Sequence, residues 1–167
     1  MIMNGKTKLK DIAVSPITAE TESGVYFNQY EESGKRYFYF YKEVLLNIND
    51  LCMFSKGMIM KESNSTKHNL SLNDFLMMKN AIWHYLPEGV NSNINHVNIA
   101  KNPHENYLKV HFGVKYNFSD IIDLSLEDIT NKTYGGLTLN QISNNLVSYE
   151  DRFIDNINAE YLLNGVE

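Results

Sequence analysis

Apolar and polar positions alternate most cleanly over residues 106–116. Leu108, Val110, Phe112, Val114 and Tyr116 fall on one side, and Tyr107, Lys109, His111 and Lys115 on the other. Side chains alternate across a strand, so the pattern predicts a half-buried strand with the first set inward. A second alternating stretch lies earlier. Val25–Glu31 and Arg36–Lys42 read as two aromatic-rich strands joined around Ser33-Gly34, a hairpin signal. Glu31 and Glu32 then face Lys35 and Arg36 across the turn, where opposite charges pair favourably. In the second arm Tyr37, Tyr39 and Tyr41 share one face and Phe38 and Phe40 the other, which is expected to be core. A two-residue turn brings Tyr26 and Tyr30 onto the tyrosine face. A three-residue turn with a bulge at Gly34 moves them to the phenylalanine side, and the sequence leaves both registers open.

The remaining pattern is less regular. Residues 8–14 alternate weakly, as in a first strand, and 15–23 read as a loop. Strands are expected near 44–48, 51–54 and 57–62, followed by a polar loop over 63–70. Ser71 with Asp74 three residues on resembles a capping box, and the helix it opens runs over 72–86. Leu72, Phe75, Leu76, Ile82, Trp83 and Leu86 make its apolar stripe, widened by Met77, Met78, Ala81 and Tyr85. Only Asn73, Lys79, Asn80 and His84 remain as a polar edge, so the helix is expected to be buried on most sides. Pro87 and Gly89 end it. Residues 90–105 read as a loop with a short strand near 97–99. Over 120–127, Ile122, Leu124 and Leu126 alternate with Asp123, Ser125 and Glu127, which predicts another strand with a helix as its rival. After Gly135-Gly136, Thr138 and Gln141 form a capping box. The helix or helix pair that follows, over 139–163, carries Leu139, Ile142, Leu146, Tyr149, Phe153 and Ile157 on one side, with a possible break near Ser148.

These elements do not alternate as βαβ units. They predict an α+β fold: an antiparallel sheet of about five to seven strands packed against the 72–86 helix and the C-terminal helices. At 167 residues, with 43% hydrophobic and 21% charged residues, the chain is expected to form a single globular domain with a substantial core. No stretch approaches the roughly 20 apolar residues of a membrane-spanning helix. A single cysteine, Cys52, within the apolar run Leu51–Phe54, excludes an intrachain disulfide. With no signal-like apolar start, this favours a reducing, cytoplasmic compartment.

Charge changes the picture. Residues 119–167 hold nine acids against two bases, net −7, whereas 1–118 hold eleven acids and thirteen bases, net +2. A field concentrated in this way attracts basic partners and disfavours nucleic acid, whose binding depends on cationic neutralisation of phosphate. No motif supplies catalysis or a cofactor. His68, His84, His96, His104 and His111 are scattered without metal-ligand spacing, and no cysteine pair accompanies them. A pocket formed by His104, Glu105 and His111 would make the protein a small hydrolase or transferase, although nothing in the spacing brings those residues together.

Two surfaces are candidates for partner binding. One is the tyrosine face, Tyr37, Tyr39 and Tyr41, because tyrosine offers a rigid contact area with a polar tip. The other is a set of carboxylates: Asp123 and Glu127 on the outward side of their expected strand, and Asp151 and Asp155 one turn apart on the C-terminal helix. The expected function is therefore that of a non-enzymatic, cofactor-free binding protein covering a basic protein. Bacterial immunity proteins that neutralise nuclease toxins have this size and acidity. An inhibitor of a nucleic-acid enzyme acting as a charge mimic, from a phage or mobile element, and a homo-oligomeric assembly subunit are the rival readings.

Overall fold

The computed structural model describes residues 2–15, 18–48, 53–55, 58–60, 72–94, 97–99 and 107–164. In chain order the elements begin with β1 (Ile2–Met3), a 3-10 turn (Leu9–Asp11), β2 (Ala19–Thr21), β3 (Tyr26–Glu32) and β4 (Lys35–Asn47). Next come β5 (Met53–Ser55), β6 (Met58–Met60), α1 (Leu72–Trp83), β7 (Asn91–Ser92), β8 (Asn98–Ile99) and β9 (Tyr107–Asn117). Four helices finish the chain: α2 (Phe118–Ile121), α3 (Leu126–Thr130), α4 (Leu139–Ser148) and α5 (Glu150–Asn164). The fold is α+β. Seven strands form one mostly antiparallel sheet in the order β1-β2-β3-β4-β9-β7, with β8 also paired to β9, and helices pack against it. The pair β1–β2 is parallel.

The chain divides into two compact units that interleave in sequence. The first comprises Met1–Glu43, Pro87–Asn93 and His111–Asn144; the second comprises Val44–Leu86, Ile94–Val110 and Asn145–Glu167. In the first unit the β3–β4 hairpin supplies the core. Glu32 pairs directly with Lys35, so the turn is the two residues Ser33-Gly34. Both have positive φ (54° and 76°), the type I′ geometry whose twist suits flanking strands. That register aligns Phe27 with Phe40 and puts Phe27, Phe38 and Phe40 on one face, all fully buried. Each contributes about 1.5–3 kcal/mol by leaving water. Arg36 borders this face, its guanidinium 4.3 Å from the Phe118 ring centroid and donating to the Ile12 carbonyl at 3.1 Å. β9 follows the predicted alternation, with Leu108, Val110, Phe112 and Val114 buried.

In the second unit α1 packs against α5, and Tyr85, two residues past the end of α1, lies with its ring 4.7 Å from Tyr149 and 5.2 Å from Phe153. The end of β4 is tied to α5 by the Asn47 amide, which donates to Glu150 at 2.8 Å. β5 and β6 pair only with each other, as a separate two-stranded sheet rather than an extension of the meander. The C-terminal helical region is split, with α4 ending at Ser148 and α5 starting at Glu150.

Several expectations are corrected. Residues 8–14 are not a strand: Lys8 makes one isolated bridge to Ser125, and Leu9–Asp11 form the 3-10 turn. The expected loop 15–23 contains β2. The expected strand at 120–127 is α2 followed by α3. Asn117 caps the first helix by accepting from the Ser119 amide. Ser125 and Asp128 form a reciprocal capping box on the second. Side-chain caps of this kind satisfy backbone donors that a strand would have to pair elsewhere. Helix α1 is not buried on most sides. Asp74, Met78 and Ile82 face inward, whereas Leu72, Leu76 and Trp83 are exposed. At 3.6 residues per turn those three lie within roughly 40° of one another, on the side opposite the Tyr85 contact. Cys52 and Ser71 lie outside the described residues.

Two substitutions test the hairpin. Ser33 occupies a left-handed position that asparagine tolerates better. Ser33→Asn is expected to stabilise the fold by about 0.5 kcal/mol, read from the midpoint of urea unfolding. Gly113 on β9 lies where backbones meet: an added Cβ would sit 2.4 Å from the Phe40 carbonyl oxygen and 2.8 Å from Tyr39 Cζ. Gly113→Ala is expected to cost about 2 kcal/mol in the same measurement.

Candidate functional site

The two-residue turn decides the composition of the outer sheet face. Tyr26 stands opposite Tyr41 and Tyr30 opposite Tyr37, so all five tyrosines of the hairpin occupy one side. Their rings stack, with centroids 5.8 Å apart for Tyr26–Tyr41, 5.5 Å for Tyr30–Tyr37 and 5.5 Å for Tyr39–Tyr41. β9 adds His111, stacked 4.7 Å from Tyr41, and Lys115, whose ammonium lies 4.3 Å from the Tyr37 centroid and 3.3 Å from Glu32. Tyr26 and Tyr30 remain exposed, while Tyr37, Tyr39 and Tyr41 are half-buried.

A chain of polar contacts crosses the middle of this face. The Asn93 side-chain amide donates to Tyr39 Oη at 3.1 Å. Tyr39 Oη lies 3.0 Å from His111 Nε2, and His111 Nδ1 lies 3.5 Å from Glu43 Oε1. With the imidazole proton on Nδ1, the tautomer that a neighbouring carboxylate favours, Nε2 accepts the Tyr39 hydroxyl proton. Burial pushes the Tyr39 phenol up to about 12. The arrangement therefore holds an uncharged, oriented phenol and an oriented imidazole on a stacked aromatic surface. His111 is on the outward side of β9, as its alternation predicts, but it is engaged on both ring nitrogens and is no loose surface histidine. Glu43 continues the odd-numbered series of Tyr37, Tyr39 and Tyr41, so the period already marked it. Asn93 arrives from a loop, and no sequence signal marks it.

The four carboxylates do not join this face. Asp123 lies in the turn between α2 and α3, and Glu127 in the first turn of α3. This segment is attached to the opposite side of the sheet, where Phe118 stacks 5.6 Å from Phe38. Asp151 and Asp155 stand one turn apart on α5, in the second unit. All four are exposed, and among the described residues none makes a side-chain hydrogen bond or ion pair. Their neighbours are used differently. The Asp128 carboxylate accepts from the Ser125 amide at 2.9 Å, a bond that holds it below its ordinary range, and Glu150 caps the Asn47 amide.

Of the other candidates, His84 is exposed beyond the end of α1. His68, His96, His104 and Glu105 lie outside the described residues, so the expected His104–Glu105–His111 grouping does too. Among the described residues no group of three or more His, Cys, Asp or Glu side chains is placed to hold a metal. No helix among them is long and apolar enough to cross a membrane. Comparison with known proteins gives no match: no family model, curated protein or solved structure is significantly similar to the chain.

The Tyr39 position yields a titration prediction. A phenol raised in the folded state stabilises the fold fully below the unfolded value near 10, and that contribution is lost as pH rises through about 12. Phenolate absorbance is expected to show a late step that Tyr39→Phe diminishes. Apparent stability should fall more steeply between those pH values in the parent protein than in the variant. Identical titration curves would show that Tyr39 is not the protected phenol.

Proposed function

We propose that this is a non-enzymatic, cytoplasmic binding protein that neutralises a basic protein partner, in the manner of bacterial immunity proteins that cover nuclease toxins. The observation that carries this reading is the state of Asp123, Glu127, Asp151 and Asp155. They are exposed carboxylates without an internal cation among the described residues. Negative charge left uncompensated by its own fold is relieved by cations from outside, and it accelerates the encounter with a basic surface. The tyrosine face adds contact area of the type enriched at protein interfaces. Tyr37, Tyr39 and Tyr41 expose only part of their rings, so on this reading the packing contribution falls mainly to Tyr26 and Tyr30.

The test starts from tagged protein purified from its native host with whatever it retains, followed by identification of the partner and measurement of association rates. The partner is expected to be basic. Its association is expected to slow at least tenfold between about 50 mM and about 500 mM salt, because screening shortens the reach of the carboxylate field. The quadruple variant Asp123→Asn, Glu127→Gln, Asp151→Asn, Asp155→Asn is expected to associate at low salt at the slow rate of the parent at high salt. A rate flat across that range, or a quadruple variant as fast as the parent, would overturn the proposal.

A further inference from the structure

The polar chain Asn93–Tyr39–His111–Glu43 lies wholly in the first unit, and three of its members adjoin points where the backbone leaves that unit. Glu43 ends the segment Met1–Glu43, Asn93 ends Pro87–Asn93, and His111 begins His111–Asn144. The links measure 3.1 Å from Asn93 to Tyr39 Oη, 3.0 Å from Oη to His111 Nε2 and 3.5 Å from His111 Nδ1 to Glu43 Oε1. The imidazole is further fixed by stacking, 4.7 Å from the Tyr41 ring and 5.7 Å from the Tyr39 ring. Backbone pairing runs alongside: the Asn93 amide donates to the His111 carbonyl at 3.2 Å, one residue past the Ser92–Phe112 pair. Histidine is the one side chain whose unperturbed proton equilibrium falls between about pH 5 and about pH 8. Burial pushes the Tyr39 phenol up to about 12, so its own proton stays in place across that range.

We propose that this chain is a pH-sensitive clasp: with His111 neutral it ties the Asn93 side chain to the sheet through Tyr39, and protonation of His111 releases Asn93 while tightening the contact to Glu43. The reason is the number of donors at one oxygen. In the neutral form Nε2 accepts the Tyr39 proton and Oη accepts from the Asn93 amide, so every group has a complementary partner. A proton added at Nε2 makes it a donor aimed at Oη. That oxygen then meets two N–H donors while still carrying its own proton. A phenol oxygen is conjugated with its ring and offers one good acceptor direction in the ring plane. The imidazolium takes it, because a charged donor makes the stronger bond, and the Asn93 amide is displaced. The other end responds in the opposite sense: Nδ1–H faces a carboxylate whose attraction grows when the ring is charged. Among the described residues, β4 presents Tyr39, Tyr41 and Glu43 to the imidazole, and β7 carries no titratable side chain. Lys109 and Lys115 are on the same side of β9, two and four residues away, and Lys115 is paired with Glu32. Glu43 favours the charged ring and the lysines oppose it. The backbone bond from Asn93 to His111 survives, so the 87–93 segment keeps its strand pairing and loses its side-chain tie. The clasp does not depend on the identity of any partner.

The experiment is an NMR titration of the full chain between about pH 5 and about pH 8, reading the His111 ring protons and the Asn93 side-chain amide together. In the parent protein both signals are expected to move with one shared midpoint. Tyr39→Phe is expected to leave His111 titrating and the Asn93 signal stationary, because the link between them is gone. Glu43→Gln, an isosteric change, is expected to lower the His111 midpoint by about 0.5 pH unit, because it removes the opposite charge that favours the imidazolium. His111→Gln is expected to abolish the Asn93 step. An Asn93 signal that stays still while His111 titrates in the parent would overturn the clasp, as would a His111 ring that takes up no proton above about pH 5. An Asn93 step that persists in Tyr39→Phe, or a Glu43→Gln midpoint at or above the parent value, would do the same.

Discussion

The turn at Ser33-Gly34 is the constraint on which the sheet depends. Two residues with positive φ admit one register, Glu32 opposite Lys35, and every later pairing in the hairpin follows from it. Because strand side chains alternate, a turn longer by one residue would exchange the faces of β3 relative to β4. Tyr26 and Tyr30 would then enter the phenylalanine core, and Phe27 would face water. The two-residue turn instead sorts the aromatic residues completely: phenylalanines inward, tyrosines outward. A sheet with one dry face and one hydroxyl-bearing face is the result. The polar chain from Asn93 to Glu43 is possible only because Tyr39 is on the second of these faces.

The outer face depends in turn on a missing side chain. Gly113 lies between His111 and Lys115 on the same side of β9, and the Tyr39 ring passes over it. Any Cβ at that point would collide with the β4 backbone itself, so the close approach of Tyr39 to His111 and the strand contact form a single packing solution. On this face Lys115 is engaged with Tyr37 and Glu32, and His111 with Glu43 and Tyr39. The exposed carboxylates Asp123, Glu127, Asp151 and Asp155, without a partner among the described residues, lie instead around α3 and on α5. The tyrosines and these carboxylates are on different elements.

Much of the fold was legible because period and capping agreed with it. The alternation of β9, the Ser33-Gly34 hairpin and the Thr138–Gln141 capping box are all realised, the last with both reciprocal bonds, at 2.8 and 3.2 Å. Over 120–127 the helical rival prevails over the expected strand, because Ile122, Leu124 and Leu126 imitate a strand period only over a short window. Local hydrogen bonds from Asn117, Ser125 and Asp128 favour helix there, and hydrophobic periodicity does not register them. In α1 eight of the twelve residues are apolar, so the pattern had little power to choose the inward side; Met78 and Ile82 are buried, and Leu72, Leu76 and Trp83 are left exposed. The site divides in the same way. Tyr37, Tyr39 and Tyr41 follow from a single strand. The Tyr39–His111 contact joins residues 72 positions apart. Local patterns do not report such meetings.

The interleaving of the two compact units has a practical side. The chain passes between them five times, at 43/44, 86/87, 93/94, 110/111 and 144/145. No single cleavage yields either unit whole, because β4 and β9 each run in sequence from one unit into the other. For a chain threaded in this way, point substitutions on the intact molecule assign a role to a surface more cleanly than nested deletions do.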